Sequence, residues 1–333
     1  MNYHLYLALS PVQLAEPTLH QPALERLLAI GGIKNTRELF EVALCRAFGI
    51  TQQRDWPIAP LSWQGEGNDP AGFYWLCADP VHFQLQRDTF SLSYPAPLAL
   101  TAMESESLLE TLNRHFLQDG LHFFSTRSSI SSHSGRWYLR LEEAPKIRTS
   151  LAMNVVGRDV TTFLPQGEQA AQWNHTLNEI QMLLHDHPVN QAREANGELP
   201  VNSLWLSGGG VLPGKAVPDD KPGSNIIFTD HPLAKGMARV ADFPCFDLPE
   251  NAKALSSSTQ EDVWLVLDDV DEAESKWFAP LLTGLREGNI RQLSLNFVLA
   301  DQMLNVLIQP RDLWRFWRKP QSLKACFALS PAW

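Results

Sequence analysis

Short runs of strand-forming apolar residues recur along this chain with helical patterns between them. Residues 3–9 (YHLYLAL), 225–229 (NIIFT) and 263–267 (VWLVL) are four to eight residues long. A pair at 292–299 and 303–309 has the form of a hairpin. Strands of that length separated by helices indicate βαβ units, and therefore a largely parallel sheet with helices against it. The expected class is α/β, with a mostly parallel sheet flanked by helices and a β-rich N-terminal or inserted part.

The intervening patterns place the helices. Residues 21–30 put Leu24, Leu27 and Leu28 on one face and stop at Gly31-Gly32, as helices do before glycine. A second helix is expected over 36–47, and a long loop over the Pro-, Gly- and Trp-rich stretch 52–71. From residue 72 the pattern turns β, with a turn at Asp79-Pro80 and a conceivable general-base pair in Asp79 and His82. Thr101 and Glu104 have capping-box spacing and open a helix with Leu108, Leu109, Leu112 and Phe116 inward, closed by Gly120. Strands near 121–125 and 137–141 flank a serine-rich turn. The 168–186 segment carries Trp173, Leu177, Ile180 and Leu184 at i, i+4, i+7 and i+11, one apolar stripe. Helices are also expected near 232–240, 272–287 and 311–318. The change of pattern divides the chain into an α+β part, 1–165, and an α/β part, 166–333.

Charge and composition narrow the function. A net charge of −10 argues against a protein that coats nucleic acid, which needs a basic surface. No stretch reaches the ~18 apolar residues of a membrane helix, and the start has no basic region of a signal peptide. The expected location is the cytoplasm, with no membrane partner. The four cysteines, Cys45, Cys77, Cys245 and Cys326, form no CxxC pair and are read as reduced thiols. No GxSxG, HExxH, Walker A or EF-hand pattern is present.

In a doubly wound sheet, ligands bind beyond the carboxyl ends of the strands. Strand 201–207 runs into Gly208-Gly209-Gly210, which is either a backbone anion nest or a tight turn. Asn190, Arg193 and Asn202 suit a polar ligand with Trp205 as a wall; equally, Asn190 suits a cap and Asn202 a strand-entry turn. Asp230 and His231 follow one strand and Asp268 and Asp269 another, where they can hold a divalent metal or cap helices. His185, Asp186 and His187 suit a helix terminus. The terminal RDLWRFWRKP sets Arg311, Arg315 and Arg318 on one helical face and Leu313, Trp314 and Trp317 on the other. That is a docked amphipathic helix, or a site for a phosphorylated ligand or nucleic acid.

Four segments carry a family resemblance: LCADPVHFQLQRD (76–88), RWYLRL (136–141), NEIQMLLHDHPVNQAREANGELPVNSLWLSGGG (178–210) and LWRFWRKP (313–320). Together they resemble the RpfE-type regulatory proteins, a bacterial family also labelled cofactor-independent phosphoglycerate mutase-like. The mutase label implies the alkaline-phosphatase-like α/β fold. The helix PALERLLAIGG (22–32) is similar to the one after that superfamily's first strand, and Thr229-Asp230-His231 is similar to its Thr-x-Asp-His metal signature with one residue missing. The first strand departs from the pattern. It ends Leu9-Ser10-Pro11, where the superfamily has a metal-binding Asp, and no acid follows until Glu16. The resulting expectation is a non-catalytic regulator without a cofactor. It binds a small anionic ligand or partner protein through Asn190, Arg193, Asn202, Trp205, Gly208, Gly209 and Gly210. The alternative is a metal-dependent phosphoglycerate mutase or phosphohydrolase with Mn, Zn or Mg held by Asp230, His231, Asp268 and Asp269.

Overall fold

The computed structural model describes residues 1–9, 21–86, 89–93, 98–127, 134–156, 158–216, 225–257, 262–267 and 272–328. Two compact units form, Met1–Ile50 with Lys215–Trp333, and Thr51–Gly214 between them in the chain. The β-rich part is thus an insertion, and the division expected at 165/166 falls inside it.

In chain order, the first stretch carries β1 (Asn2–Leu9), α1 (Pro22–Ile30), β2 (Gly32–Arg37) and α2 (Phe40–Ala47). The insertion carries α3 (Ile58–Gly65), β3 (Tyr74–Gln86), β4 (Thr89–Ser93), α4 (Ala102–His115), β5 (His122–Arg127), β6 (Ser134–Leu141), β7 (Ile147–Arg148), β8 (Gln166–Gly167), α5 (Ala170–His185), α6 (Pro188–Ala195) and β9 (Ser203–Gly210). The chain then completes the first unit with β10 (Asn225–Thr229), α7 (Pro232–Ala241), β11 (Cys245–Phe246), β12 (Asp262–Leu267), α8 (Ala279–Arg286), β13 (Gln292–Leu299), β14 (Gln302–Ile308) and α9 (Leu323–Ala328).

The first unit is built on a seven-stranded sheet, ordered β11-β10-β12-β1-β13-β14-β2. Its first five strands are parallel, and β14 and β2 run antiparallel at one edge. β1 lies at the centre, paired with β12 and β13. It is covered on both faces, as parallel strands are. Tyr3, Leu5, Leu7 and Leu9 pack with Leu24, Leu27 and Leu28 of α1 and with Trp277, Phe278 and Leu281. On the opposite face His4 stacks on Trp264 at 4.7 Å, and Phe48 joins Trp264 to Phe243. The N-terminus of α1 is satisfied from far along the chain. The Glu274 carboxylate accepts from Ala23 N at 2.7 Å and Leu24 N at 3.2 Å, negative charge at the positive end of a helix.

The inserted unit holds a five-stranded antiparallel sheet, β4-β3-β6-β5 with β9 also on β3. The apolar faces of α4 and α5 close its core. Leu108, Leu112, Trp173, Leu177, Ile180 and Leu184 pack with Leu76, Trp137, Leu139 and Leu206. The Thr101–Glu104 capping box forms in both directions.

Several local expectations change. The helix expected over 36–47 begins at Phe40, and the residues before it form edge strand β2, whose exposed side chains give no period and whose order comes from pairing with β14. The loop expected over 52–71 contains α3, buried at Ile58, Ala59, Pro60, Leu61, Ser62 and Gly65; a helix buried nearly all round shows no amphipathic stripe. The turn at Asp79-Pro80 is absent. β3 runs straight through it for 13 residues, with Asp79 opposite Trp205 and Pro80 opposite Leu204. His187 does not end the long helix but starts α6, its Nδ1 accepting from Val189 N at 3.2 Å ahead of Pro188, a favoured first-turn position for proline. The helix expected at 311–318 is a short 3₁₀ turn, Pro310–Trp314. The four cysteines are free. No helix among the described residues is long and apolar enough to cross a membrane.

Candidate functional site

The residues singled out in the 187–210 block lie together in the inserted unit, and their polar atoms are bound to the protein. Asn190, 2% exposed, donates from Nδ2 to Leu184 O and Val201 O at 2.7 Å each and accepts from Val201 N at 2.8 Å. It fastens the end of α5 and α6 to the entry of β9. Asn202 brackets Phe83, accepting from its N–H at 2.7 Å and donating to its C=O at 2.9 Å. This amide takes the place of a ladder pair where the backbone leaves the sheet. Trp205 is buried, with Nε1 donating to Ser150 O at 2.7 Å and its ring at right angles to Phe83.

Arg193 is 3% exposed. Its guanidinium donates to Leu199 O at 2.8 Å, to Glu104 Oε1 at 2.9 Å and to Leu98 O. Glu104 also accepts from Thr101 N at 2.8 Å. One arginine therefore ties α6 and the 196–199 turn to the capping box of α4. Partial burial acts to raise the Glu104 pKa, but the bonds from Thr101 and the Arg193 charge outweigh it and hold it below the ordinary value.

Gly208-Gly209-Gly210 is neither a nest nor a turn. All three residues are buried within β9, which is hydrogen-bonded to β3. The reason is close packing. A Cβ on Gly208 would lie 2.7 Å from Ile58 Cβ, on Gly209 2.7 Å from Leu76 Cδ2, and on Gly210 2.6 Å from Pro57 Cβ. Gly208 also has φ +62°, open to glycine at little cost. The sequence signal for this was available in retrospect: three consecutive glycines need a neighbouring backbone as much as they need an anion.

At the strand ends of the first unit, Thr229 Oγ1 donates to Val266 O at 2.9 Å and accepts from His231 N at 3.0 Å, stitching β10 to β12 at the start of α7. Asp230 and His231 engage different neighbours. Asp230 lies 3.8 Å from Lys235 Nζ, which bonds Asp247 at 2.8 Å, and its side chain is 44% exposed. The His231 ring is buried edge-on to Phe40, with centroids 5.5 Å apart. Asp268 and Asp269 lie outside the described residues, as do Ser10, Pro11 and Glu16 at the end of the first strand. Among the described residues no group of three or more His, Cys, Asp or Glu side chains is placed to hold a metal ion.

Arg315 and Arg318, singled out in the sequence, line a cleft that order along the chain does not show, because a distant segment builds its other wall. The cleft, of about 530 Å³, lies between the C-terminal end of α1 and the segment after the 3₁₀ turn, and its walls include Leu28, Ile33, Arg315, Arg318 and Lys319.

Fold and site define an α/β protein with a central, largely parallel sheet, helices on both faces and an antiparallel insertion. No family model matches the chain. Its sequence is locally similar to curated phosphoglycerate mutases of the 2,3-bisphosphoglycerate-independent type. The enzyme of Thermoplasma volcanium is 31% identical over 96 residues, 28% of this chain and 24% of that protein. A probable mutase of Geobacter sulfurreducens is 35% identical over 60 residues, 18% of this chain and 15% of that protein. The chain thus spans about a quarter or less of the length of the curated relatives it matches. Among solved structures, the cofactor-independent phosphoglycerate mutase from Thermoplasma acidophilum aligns with 98% of this chain and 95% of its own at a TM-score of 0.47 and 16% identity. The PH0037 protein from Pyrococcus horikoshii aligns with 93% and 88% at a TM-score of 0.48 and 12% identity. The chain has weak, local homology to cofactor-independent phosphoglycerate mutases.

Proposed function

We propose that this chain is a non-catalytic regulatory protein of the bacterial cytoplasm, on a degenerate phosphomutase-like scaffold of alkaline-phosphatase type, and that it acts by binding a small anionic ligand or a partner protein. The observation that carries the reading is the arrangement of Asp230 and His231. A two-metal phosphoryl-transfer centre needs hard ligands converging to about 2.0–2.6 Å from each ion. Here the acid is drawn to Lys235 and the imidazole to Phe40. The resemblance of the 178–210 block to RpfE-type regulators supports the same reading.

The second reading, a metal-dependent phosphoglycerate mutase or phosphohydrolase using Asp230, His231, Asp268 and Asp269, is favoured by the local similarity to mutases. One experiment separates them. The purified chain is analysed for metal content and assayed for interconversion of 3- and 2-phosphoglycerate with added Mn²⁺, Zn²⁺ or Mg²⁺. The regulator reading expects no turnover above the buffer rate and metal well below one ion per chain. Chelator-sensitive turnover that Asp230→Asn abolishes would overturn it.

A further inference from the structure

The cleft beside α1 begins with a backbone need. The last carbonyls of a helix have no partner within it. At the end of α1, Arg315 Nη1 donates to Ile30 O at 2.7 Å, and Arg318 Nη1 to Ala29 O at 3.3 Å. Arg315 is further fixed by Asp312 at 3.1 Å, and Arg26 Nη1 bonds back to Arg318 O at 3.1 Å. Each guanidinium carries five N–H donors in a rigid fork, so a bond from one Nη holds the group in place without using it up. The exposed Lys319 stands beside them on the cleft wall. Three cations therefore share one cleft of a chain whose net charge is −10.

The same segment exposes its aromatic residues. Trp314, Phe316 and Trp317 are 75%, 73% and 68% exposed. Three large aromatics bare to solvent within four positions are out of keeping with a free surface, where contiguous apolar patches mark interaction sites. Trp and Arg are also the residues most enriched among energetically dominant interface contacts.

We propose that this cleft and its aromatic rim dock an acidic peptide segment of a partner protein, with carboxylates on Arg315, Arg318 and Lys319 and apolar side chains on Trp314, Phe316 and Trp317. Charge complementarity selects the acidic partner. The concave, partly apolar cleft selects a peptide over a bilayer surface, which has nothing to insert there. The inference rests on the regulator reading and names the chemistry of its partner.

The test pans a random peptide library on the full chain, then measures the selected peptides by fluorescence anisotropy. Selected sequences are expected to be rich in Asp and Glu interspersed with aliphatic residues. Lys319→Glu and Trp317→Ala alter exposed side chains and leave the fold intact. Each is expected to weaken binding about tenfold or more, the charge reversal through repulsion and the truncation through loss of a central contact. Binding should also fall as salt rises. Selection of peptides without acidic residues, failure to select any, or an affinity of either variant equal to that of the unmutated chain would overturn the proposal. So would Trp317-dependent binding to phosphatidylglycerol vesicles in the absence of peptide binding, which would make the rim a membrane contact. Phosphoglycerate turnover measured on the same samples reads the regulator proposal separately, since neither variant touches Asp230 or His231.

Discussion

Arg193 is the side chain whose removal says most about this protein. Arg193→Ala deletes a charge-assisted bond to Glu104 and leaves two carbonyls, Leu98 O and Leu199 O, without their donor. Glu104 is partly exposed, so the lost ion pair itself contributes less than the roughly 3–5 kcal/mol of a fully buried one, and most of the cost falls on the two carbonyls. Each buried acceptor left unsatisfied costs about 1–3 kcal/mol, and the contributions overlap because one guanidinium serves all three. The expected loss is therefore about 3–5 kcal/mol, a large part of the roughly 5–15 kcal/mol that holds a domain together. Arg193→Lys keeps the charge but cannot span three acceptors with one ammonium, and at least one carbonyl left without a donor is expected to cost about 1–3 kcal/mol. The free cysteines localise the effect. Cys77 is buried in the inserted unit, whereas Cys45 and Cys326 are buried in the other. In a urea series with thiol labelling read by mass spectrometry, Arg193→Ala should expose Cys77 at lower urea and leave Cys45 and Cys326 unchanged. Acid should narrow the difference. Glu104 has a folded pKa below its unfolded one, so its contribution is complete above the unfolded value and is lost as pH falls through the folded value. A loss under about 1 kcal/mol, the size of an exposed ion pair, would refute the reasoning and return Arg193 to the list of ligand contacts.

Two further outcomes are expected. Gly208→Ala combines a left-handed backbone, which costs an L-residue about 1–2 kcal/mol, with overpacking against Ile58 worth about 1–3 kcal/mol. Gly67→Ala, at φ +92° with nothing within 4 Å of its Cβ, carries only the backbone cost, so equal urea midpoints for the two variants would show that close packing does not govern the glycine run. Glu66 accepts from Tyr138 Oη at 2.9 Å and Thr126 Oγ1 at 3.2 Å, and burial raises its pKa in spite of those bonds. A raised carboxyl pKa destabilises the fold as pH rises through the unfolded and then the folded value. Glu66→Gln, which keeps an acceptor without the charge, should raise the urea midpoint at neutral pH and not at pH below the ordinary glutamate value; a gain that persists in acid would contradict this.

Much of the molecule was legible from residues alone, and the reason is locality. The strands β1, β10, β12 and β13 declare themselves because a strand covered on both faces must be apolar along its length. The helices α1, α4 and α5 declare themselves by period, and the Thr101–Glu104 box by spacing that a single turn of chain satisfies. Elements whose order is supplied from elsewhere did not show. β2 is a strand because β14 lies beside it, α3 carries no stripe because it is buried nearly all round, and Pro80 stays extended because β9 pairs across it.

The candidate site divides the same way. That residues 190–210 form a dense polar block, and that cations and aromatics are interspersed over 314–319, can be read from order along the chain. Whether a polar atom meets a ligand or another part of the protein cannot, because its partner is set by the tertiary fold. Asn190 meets Val201, Asn202 meets Phe83 and Arg193 meets Leu98, the last two across 119 and 95 positions. The cations at 315 and 318 meet the end of a helix 289 or fewer positions away and line a cleft with it. Backbone period and local bonds belong to a few neighbouring residues and survive in any window of sequence; the consumption of a donor or the opening of a cleft depends on which distant segments packing brings together.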